Sequence, residues 1–418
     1  MWCFLMNVAP VVIFKTLAES FYEATLLMVV YSRCNGTRDN ITHNGMQSES
    51  AQFYLIYYII SYLVPLLPAM FLGNLADRSS YKILTVIPLL GYLLGRSFLL
   101  FTEIFELPIY VMFIGNTITG LCGGYPAYWT GISAITALRS TNNNRSVRLS
   151  SMDFTSGMAA LLGSILSGHI FMVKNNHTGL PITVLCLTLY TLSVVYSAFI
   201  MKYPSVTGSE KKRLLPSPSE EKDMRAIFYL FAAANIFYLG MLGGENVISL
   251  FVLKPPLSWD AVWVGYGNAA ANMMYFTSFL GVLIGSKYLS DTSLIHIGIV
   301  SNCAGMVMMA SVNQTYLFFV ARGVMMFSCV PLPTMRSQLS KVTDEASYGY
   351  TFAWMQSSTA FMSVISTIVF NSVYPITLEW YSGFCLLLSA GISLLSMLPT
   401  CFFHFRMKQI GYARISEE

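Results

Sequence analysis

Charged residues are scarce in this chain: Asp, Glu, Lys and Arg make up 11% of its 418 residues, whereas 55% are hydrophobic. A soluble domain carries about 25% charged residues. So few charges cannot cover a surface that faces water, and most of the surface must therefore face lipid. The net charge of +4 is spread over short loops, which indicates no nucleic-acid partner.

Several motifs are also missing. No Gly-x-x-x-x-Gly-Lys-Ser/Thr loop occurs, which argues against ATP as an energy source. Seven of the eight cysteines lie in apolar segments and only Cys34 lies in a polar loop, so no disulfide framework is indicated. No basic region precedes the first apolar stretch, which favours a first membrane helix over a signal peptide. We expect no enzyme activity, no cofactor and no metal site.

Apolar stretches long enough to cross a membrane recur along the whole chain. They predict an all-α polytopic membrane protein with two six-helix halves at 1–202 and 226–405, a cytosolic linker at 203–225 and a tail at 406–418. The fourth stretch is rich in Gly and Pro, which predicts a tilted or broken helix. The twelve predicted spans are 8–31, 52–72, 83–102, 108–138, 150–173, 181–202, 226–250, 261–286, 293–312, 316–339, 348–373 and 379–405.

The loop bases predict the orientation of these spans. Most Lys and Arg residues of the loops fall on one side, and only Arg33, Arg38, Lys174 and Lys254 fall on the other. The positive-inside rule therefore places both termini in the cytosol. Five sequons test this placement independently: Asn144 falls in an inner loop, and the four predicted glycosylation sites of the outer loops are Asn35, Asn40, Asn176 and Asn313.

A short loop between the second and third spans carries the sequence Gly73-Asn-Leu-Ala-Asp77-Arg78-Ser-Ser-Tyr-Lys82. Glycine lets two backbones approach closely, Asp77 caps or pairs across the turn, and the bases hold the loop in the cytosol. The loop resembles that between the second and third spans of the major facilitator superfamily, and we assign a gating role to Gly73, Asp77, Arg78 and Lys82. A basic hairpin of any polytopic protein is the alternative.

Three ionisable residues interrupt the first span. Lys15, Glu19 and Glu23 are spaced by four, so they share one face of a helix. A charge inside a span costs about 2.5–3.5 kcal/mol on insertion scales, so this face must point into the bundle. Either Glu19 and Glu23 carry protons, or Lys15 and Glu19 form a structural pair.

Two further acids are candidates for proton coupling. Asp153 lies near the start of the fifth span and either carries a proton or complements the helix dipole. Glu245 follows a glycine cluster in the seventh span, beside which a cavity is expected, although a simple ion pair explains it as well.

Arginines and aromatic residues are the candidates for solute binding. Arg96, Arg322 and Arg336 lie within spans, and a guanidinium matches a carboxylate in shape. Arg336 faces an anionic solute or a carboxylate such as Asp153, or else extends to the lipid headgroups. Tyr128 and Trp129 follow a glycine-rich segment that lines a cavity or allows tight helix packing.

The segments that include these residues resemble solute carrier family 46, which contains the proton-coupled folate transporter, and they look most similar to its thymic stromal branch. The blocks that carry the resemblance are Gly-Leu-Cys-Gly-Gly-Tyr-Pro-Ala-Tyr-Trp-Thr-Gly (120–131), Arg-Ser-Val-Arg-Leu (145–149), Gly-Ser-Ile-Leu-Ser-Gly-His (163–169), Pro-Leu-Ser-Trp-Asp-Ala-Val-Trp-Val-Gly-Tyr-Gly (256–267), Thr-Ser-Phe-Leu-Gly-Val-Leu (277–283) and Arg-Ser-Gln-Leu-Ser-Lys (336–341).

The resemblance implies a twelve-helix facilitator with alternating access. It places Asp153 at the family's proton-coupling acid and Arg336 at an arginine that serves coupling and solute binding. Two positions depart from the family: Ser80-Tyr81 stands where a Gly-Arg pair is usual, and Met241 replaces a histidine of the folate transporter. The second departure argues against folate as the solute.

Two functions follow from these patterns. One is a secondary transporter of a small organic anion, muramyl-peptide-like or conjugated by resemblance, moving with H+ and acting as a monomer among membrane lipids. The other is a receptor or scaffold of the same fold that no longer transports. The plasma membrane is the expected location, with the endosomal or lysosomal membrane as the alternative.

We predict glycans on some of the four outer sequons and none on Asn144, because only outer loops meet the glycosylating enzyme. Single Asn→Gln variants, compared by their glycosidase-sensitive shift on a gel, test this arrangement. A glycan on Asn144 would contradict the predicted topology.

Overall fold

The computed structural model of the protein describes residues 2–36, 43–173, 179–204, 223–253, 257–259, 261–377 and 380–417, and in these ranges it is helical without β-strands. The helices are α1 (Trp2–Gly36), α2 (His43–Leu63), α3 (Leu66–Arg78), α4 (Ile83–Ile104), α5 (Val111–Leu121), α6 (Gly124–Leu138), α7 (Arg145–Val173), α8 (Leu180–Val195), α9 (Met224–Phe251), α10 (Ala261–Gly285), α11 (Asp291–Ala310), α12 (Thr315–Val324), α13 (Pro331–Lys341), α14 (Tyr348–Thr377), α15 (Phe384–Leu395) and α16 (Met397–Glu417).

Eight helical stretches in the described ranges are long and apolar enough to cross a membrane. The other predicted spans depart from that pattern for visible reasons. The helix α1 carries four charged residues, α10 carries Asn268 and Asn272, and two spans are each divided into a pair of shorter helices. The described parts of the twelve predicted segments are therefore mainly helical, but some segments consist of one helix and others of two.

The fourth span is broken, as its composition predicts. Helix α5 ends at Leu121 and α6 begins at Gly124, and both Gly123 and Gly124 have positive φ angles, of 90° and 45°. Only glycine adopts such angles without strain. The second span is broken as well, at Pro65, whose nitrogen has no hydrogen to donate to the helix.

The tenth predicted span, 316–339, is divided into two helices, whereas the twelfth, 379–405, matches one apolar stretch, Phe384–Gln409, that is long enough to cross a membrane. Turns at residues 325–329 separate α12 from α13, which begins with Pro331 and carries Pro333 in its first turn. Proline is favoured in the first turn of a helix and disfavoured beyond it. A single turn residue, Ser396, separates α15 from α16.

The first of two compact units consists of Met1–Ile135, Thr155–Ser205 and Gly349–Ala360. Its core is built where α1, α2, α4 and α8 meet, and it is aromatic. The buried residues there include Phe21, Tyr22, Tyr57, Tyr92 and Tyr190. A tyrosine brings a polar hydroxyl into an apolar core, and a buried hydroxyl usually forms a hydrogen bond.

The second unit consists of Thr136–Phe154, Val206–Tyr348 and Phe361–Glu418. One of its cores packs Val147, Val282, Leu294 and Val330 together. A prediction that divides the chain at 203–225 stays a prediction, and residues 205–222 lie outside the described ranges.

Helix α9 begins where Asp223 caps it. The carboxylate accepts bonds from the backbone N–H groups of Arg225 and Ala226, and Arg406 Nε donates to it at 2.8 Å. Burial raises the pKa of Asp223, but the bonds from Arg406 and the backbone outweigh burial and hold this pKa below its usual value.

Helices α9 and α15 approach so closely that a side chain would not fit between them. A Cβ atom at Gly240 would lie 2.8 Å from Ser393 N and 2.9 Å from Ser389 O, which are backbone atoms. The hydroxyl of Ser389 donates to Gly240 O at 2.7 Å. The contact therefore depends on glycine.

We predict that Gly240→Ala lowers the melting temperature in detergent, because the backbone must move to accept the methyl group, at about 1–3 kcal/mol. Gly391→Ala is the matched control, since a Cβ atom there meets nothing within 4 Å. This control should hold or slightly raise the melting temperature. Equal stability of the two variants would contradict the close approach.

Candidate transport site

A network of charges in the first unit joins α1, α2, α4 and α8. Glu19 Oε1 lies 2.8 Å from Arg96 Nη2, and Glu19 Oε2 lies 3.5 Å from Lys15 Nζ. Tyr190 donates its hydroxyl to Glu19, and Arg96 donates to the hydroxyl of Tyr57. One carboxylate thus receives two cations and a phenol.

Aromatic rings enclose the two cations of this network. The guanidinium carbon of Arg96 lies 3.8 Å from the ring centre of Tyr22, and Lys15 Nζ lies 4.8 Å from Tyr92 and 5.6 Å from Tyr128. Ring faces carry negative charge density, so they stabilise buried cations. Both cations are nearly fully buried, and this is how they are accommodated away from water.

Glu23 differs from its neighbours on α1. Its side chain is exposed, and it has no hydrogen bond or ion pair with the described residues. A carboxylate without a partner does not face hydrocarbon. The role of Glu23 in proton coupling stays a prediction.

The predicted pairing of Lys15 and Glu19 is present, and Arg96 belongs to the same network. Its described polar contacts, to Glu19 and Tyr57, lie within the network. The network leaves the Nε atom of Arg96 buried without a partner. Its role in solute binding stays a prediction, and the geometry favours a structural role.

Asp153 and Arg336 form an ion pair in the second unit. Arg336 Nη2 donates to Asp153 Oδ2, joining α7 to α13, and both side chains are largely buried. Asp153 lies in the third turn of α7, so it does not cap that helix. Arg336 is only 8% exposed, which excludes its extension to the lipid headgroups.

Glu245 and Arg322 form a second pair in this unit, between α9 and α12. Both carboxylate oxygens are used: Nη1 lies 2.5 Å from Oε1 and Nη2 lies 2.9 Å from Oε2. The ring of Phe318 lies 5.3 Å from the guanidinium carbon. A two-bond fork of this kind is the strongest geometry for the two groups.

The aromatic pair of α6 is buried. Tyr128 is fully buried and Trp129 is 6% exposed, and their rings meet edge to face. The hydroxyl of Tyr128 has no hydrogen-bond partner in the described part of the chain. The ring of Tyr128 lies beside the Lys15 network, with its centre 5.6 Å from Lys15 Nζ.

Two of the four predicted gating residues, Gly73 and Asp77, contact the start of α14. Asp77 accepts bonds at 2.7 Å from the backbone N–H groups of Gly349 and Tyr350. A Cβ atom at Gly73 would lie 2.6 Å from Gly349 O, so the backbones of α3 and α14 touch there. Arg78 and Lys82 are exposed at this loop.

Sequence reasoning missed several residues that these sites use. Tyr57 and Tyr190 complete the Glu19 network, and their signal was the crowding of tyrosines in apolar segments. It also missed Arg145, which donates to Ser340 O at 3.1 Å and to the Tyr348 hydroxyl at 3.2 Å. Arg145 lies in a predicted loop, and nothing near it in the sequence indicates partners that lie 195 and 203 residues further along the chain.

The predicted glycosylation sites are only partly described. Asn313 is exposed between α11 and α12, and Asn35 lies near the end of α1. Both Asn40 and Asn176 lie outside the described residues. Asn144 accepts a bond from Thr141 N in the turn before α7.

A model of the Major Facilitator Superfamily matches residues 6–367 of this chain. Solute carrier family 46 member 2 of Canis lupus familiaris is 35% identical over 440 aligned positions, which cover 94% of this chain and 92% of that relative. The chain belongs to solute carrier family 46.

Other relatives agree with the family. The lysosomal proton-coupled steroid conjugate and bile acid symporter of Gallus gallus is 29% identical, with 94% of this chain and 89% of that protein covered. The human organic anion transporter MFSD10 has the same fold, with a TM-score of 0.75 and 12% identity over 94% of this chain and 99% of that one. Family 46 consists of transporters of the superfamily, so this chain is a multi-pass membrane transporter rather than an enzyme.

We predict that Arg96→Met destabilises this family 46 protein by about 3–5 kcal/mol, because it leaves the buried Glu19 without its closest cation. The measurement is the melting temperature of the purified protein in detergent. The double variant Arg96→Met/Glu19→Gln removes both charges and should recover most of the loss. A double variant that melts as low as the single variant would contradict a coupled network.

Proposed function

We propose that this chain is a secondary active transporter that moves an organic anion together with protons by alternating access. The Asp153–Arg336 pair is the observation that carries the proposal. An arginine is the side chain best suited to a carboxylate or sulfate, and here it is held by an acid that a proton can neutralise. Protonation of Asp153 releases Arg336 for the anion, and release of the anion returns Arg336 to Asp153.

Two ion pairs of the second unit, Asp153–Arg336 and Glu245–Arg322, differ in how many carboxylate oxygens accept a hydrogen bond. Asp153 offers one oxygen to Arg336, and its other oxygen has no described hydrogen bond. Glu245 offers both oxygens to Arg322. A proton can therefore reach Asp153 without first breaking an ion-pair bond, and we assign coupling to Asp153 ahead of Glu245 and Glu19. We also place it ahead of Glu23, because protonation of Glu23 would release no arginine for the anion.

The class of solute follows from the surroundings of these pairs. Phe154, next to Asp153, stacks on Phe279 with ring centres 5.1 Å apart, and Phe318 flanks Arg322. Arginine beside aromatic rings suits an anion with an apolar or ring-shaped body. The names of the avian symporter and of the human organic anion transporter support this class, and a muramyl-peptide-like or conjugated anion is our more specific proposal.

We further propose that both termini are cytosolic, that the chain acts as a monomer and that the plasma membrane is its location. The lysosomal name of the avian relative supports an endosomal or lysosomal alternative. A receptor or scaffold that does not transport remains the second candidate function. The retained buried ion pairs argue against it, because an idle bundle is more stable with apolar residues at such positions.

We predict that Asp153→Asn abolishes accumulation driven by a pH gradient, because an amide cannot take up and release the proton. The measurement is uptake of an external bile acid, with taurocholate as the probe, into liposomes that contain the purified protein. Counterflow exchange should continue in the variant, since it needs binding and rocking but no net proton flux.

Asp291→Asn is the matched control, because Asp291 also forms an ion pair in this unit, with Lys341 at 2.6 Å. It should keep the full pH dependence. Asp153→Asn with unchanged pH dependence would contradict the coupling role. Absence of taurocholate uptake by the unaltered chain at every gradient would reject bile acids, and repetition with a muramyl peptide would then separate a different solute from the scaffold.

A further inference from the structure

Asp77 links the end of α3 to the start of α14. Its Oδ1 atom accepts a bond from Gly349 N and its Oδ2 atom accepts one from Tyr350 N, each at 2.7 Å. These N–H groups belong to the first turn of α14, where a helix has no backbone acceptors for them and carries partial positive charge. The two oxygens thus serve two successive amides, and both bonds require the same orientation of the carboxylate.

Tyr81 contacts the same carboxylate. It lies in the turn between α3 and α4, is 1% exposed, and donates its hydroxyl to Asp77 Oδ1 at 2.8 Å. Its ring is therefore locked by packing, and its hydroxyl is held at a fixed point.

The backbone is tightly packed around the carboxylate of Asp77. A Cβ atom at Gly349 would lie 2.5 Å from Gly73 O and 2.7 Å from Asp77 Oδ1. Because the two backbones already touch, a rotated carboxylate cannot be compensated by a small shift of α14. The orientation of Asp77 must be set from its own side, and the buried Tyr81 contributes to it through its hydroxyl.

We propose that Tyr81 is a positioning residue for transport: its hydroxyl orients Asp77 so that α3 holds the first turn of α14. Loss of that hydroxyl leaves Asp77 in place but lets the carboxylate rotate. The amides of Gly349 and Tyr350 then open more often, and the rate at which the transporter passes between its two states changes while its solute contacts do not.

Tyr81→Phe tests this, because it removes the hydroxyl and keeps the ring. Hydrogen–deuterium exchange of peptides that cover residues 345–353, in purified protein, should be about threefold to tenfold faster, as expected for one lost hydrogen bond. This measurement does not depend on the proposed function. In liposomes that transport taurocholate, the maximal rate should change while the KM stays within about twofold.

The double variant Asp77→Asn/Tyr81→Phe identifies the route of the effect. If Tyr81 acts through Asp77, its removal adds little to Asp77→Asn in either measurement. Tyr374→Phe is the matched control, since the buried Tyr374 hydroxyl has no hydrogen-bond partner in the described part of the chain, and it should leave exchange and rate unchanged. Unchanged exchange in Tyr81→Phe, or an equal effect of that change in the Asp77→Asn background, would overturn the proposal.

Discussion

A charge buried among membrane helices must have an opposite charge within reach, and this constraint organises the whole molecule. Arg96, Arg322 and Arg336 each lie against a carboxylate from a different helix. No helix that carries one of these pairs can move without either keeping the pair or replacing one member with a proton or an anion. Fold stability therefore depends on these pairs, and the solute chemistry that we propose uses one of them, Asp153–Arg336.

The three pairs are suited to different roles by their geometry. Aromatic rings and a second cation close the Glu19 network, which makes it a fixed part of the first unit. The fork between Glu245 and Arg322 uses both oxygens. In the Asp153–Arg336 contact one carboxylate oxygen is used, and the other has no described hydrogen bond. For this reason we propose it as the pair at which a proton exchanges.

The sequence predicted what depends on local chemistry. Spacing by four residues placed Lys15 beside Glu19, apolar length located the helices, and the glycines at 120–124 indicated the broken fourth span. What it could not predict depends on distant residues. Nothing near Arg96 indicates that Glu19, on another helix, neutralises it. The break at Ser396, by contrast, has a local cause: Pro399 has no N–H to donate to Leu395 O, four residues earlier, and its ring clashes with that carbonyl.

The breaks in the second and fourth spans lie against each other. A Cβ atom at Gly124 would lie 3.1 Å from Pro65, and one at Gly120 would lie 2.7 Å from Val64. The two spans therefore change direction at one shared place, where the ends of α2 and α5 meet the starts of α3 and α6. A larger side chain at Gly120 or Gly124 would thus press on the other span as well as on its own.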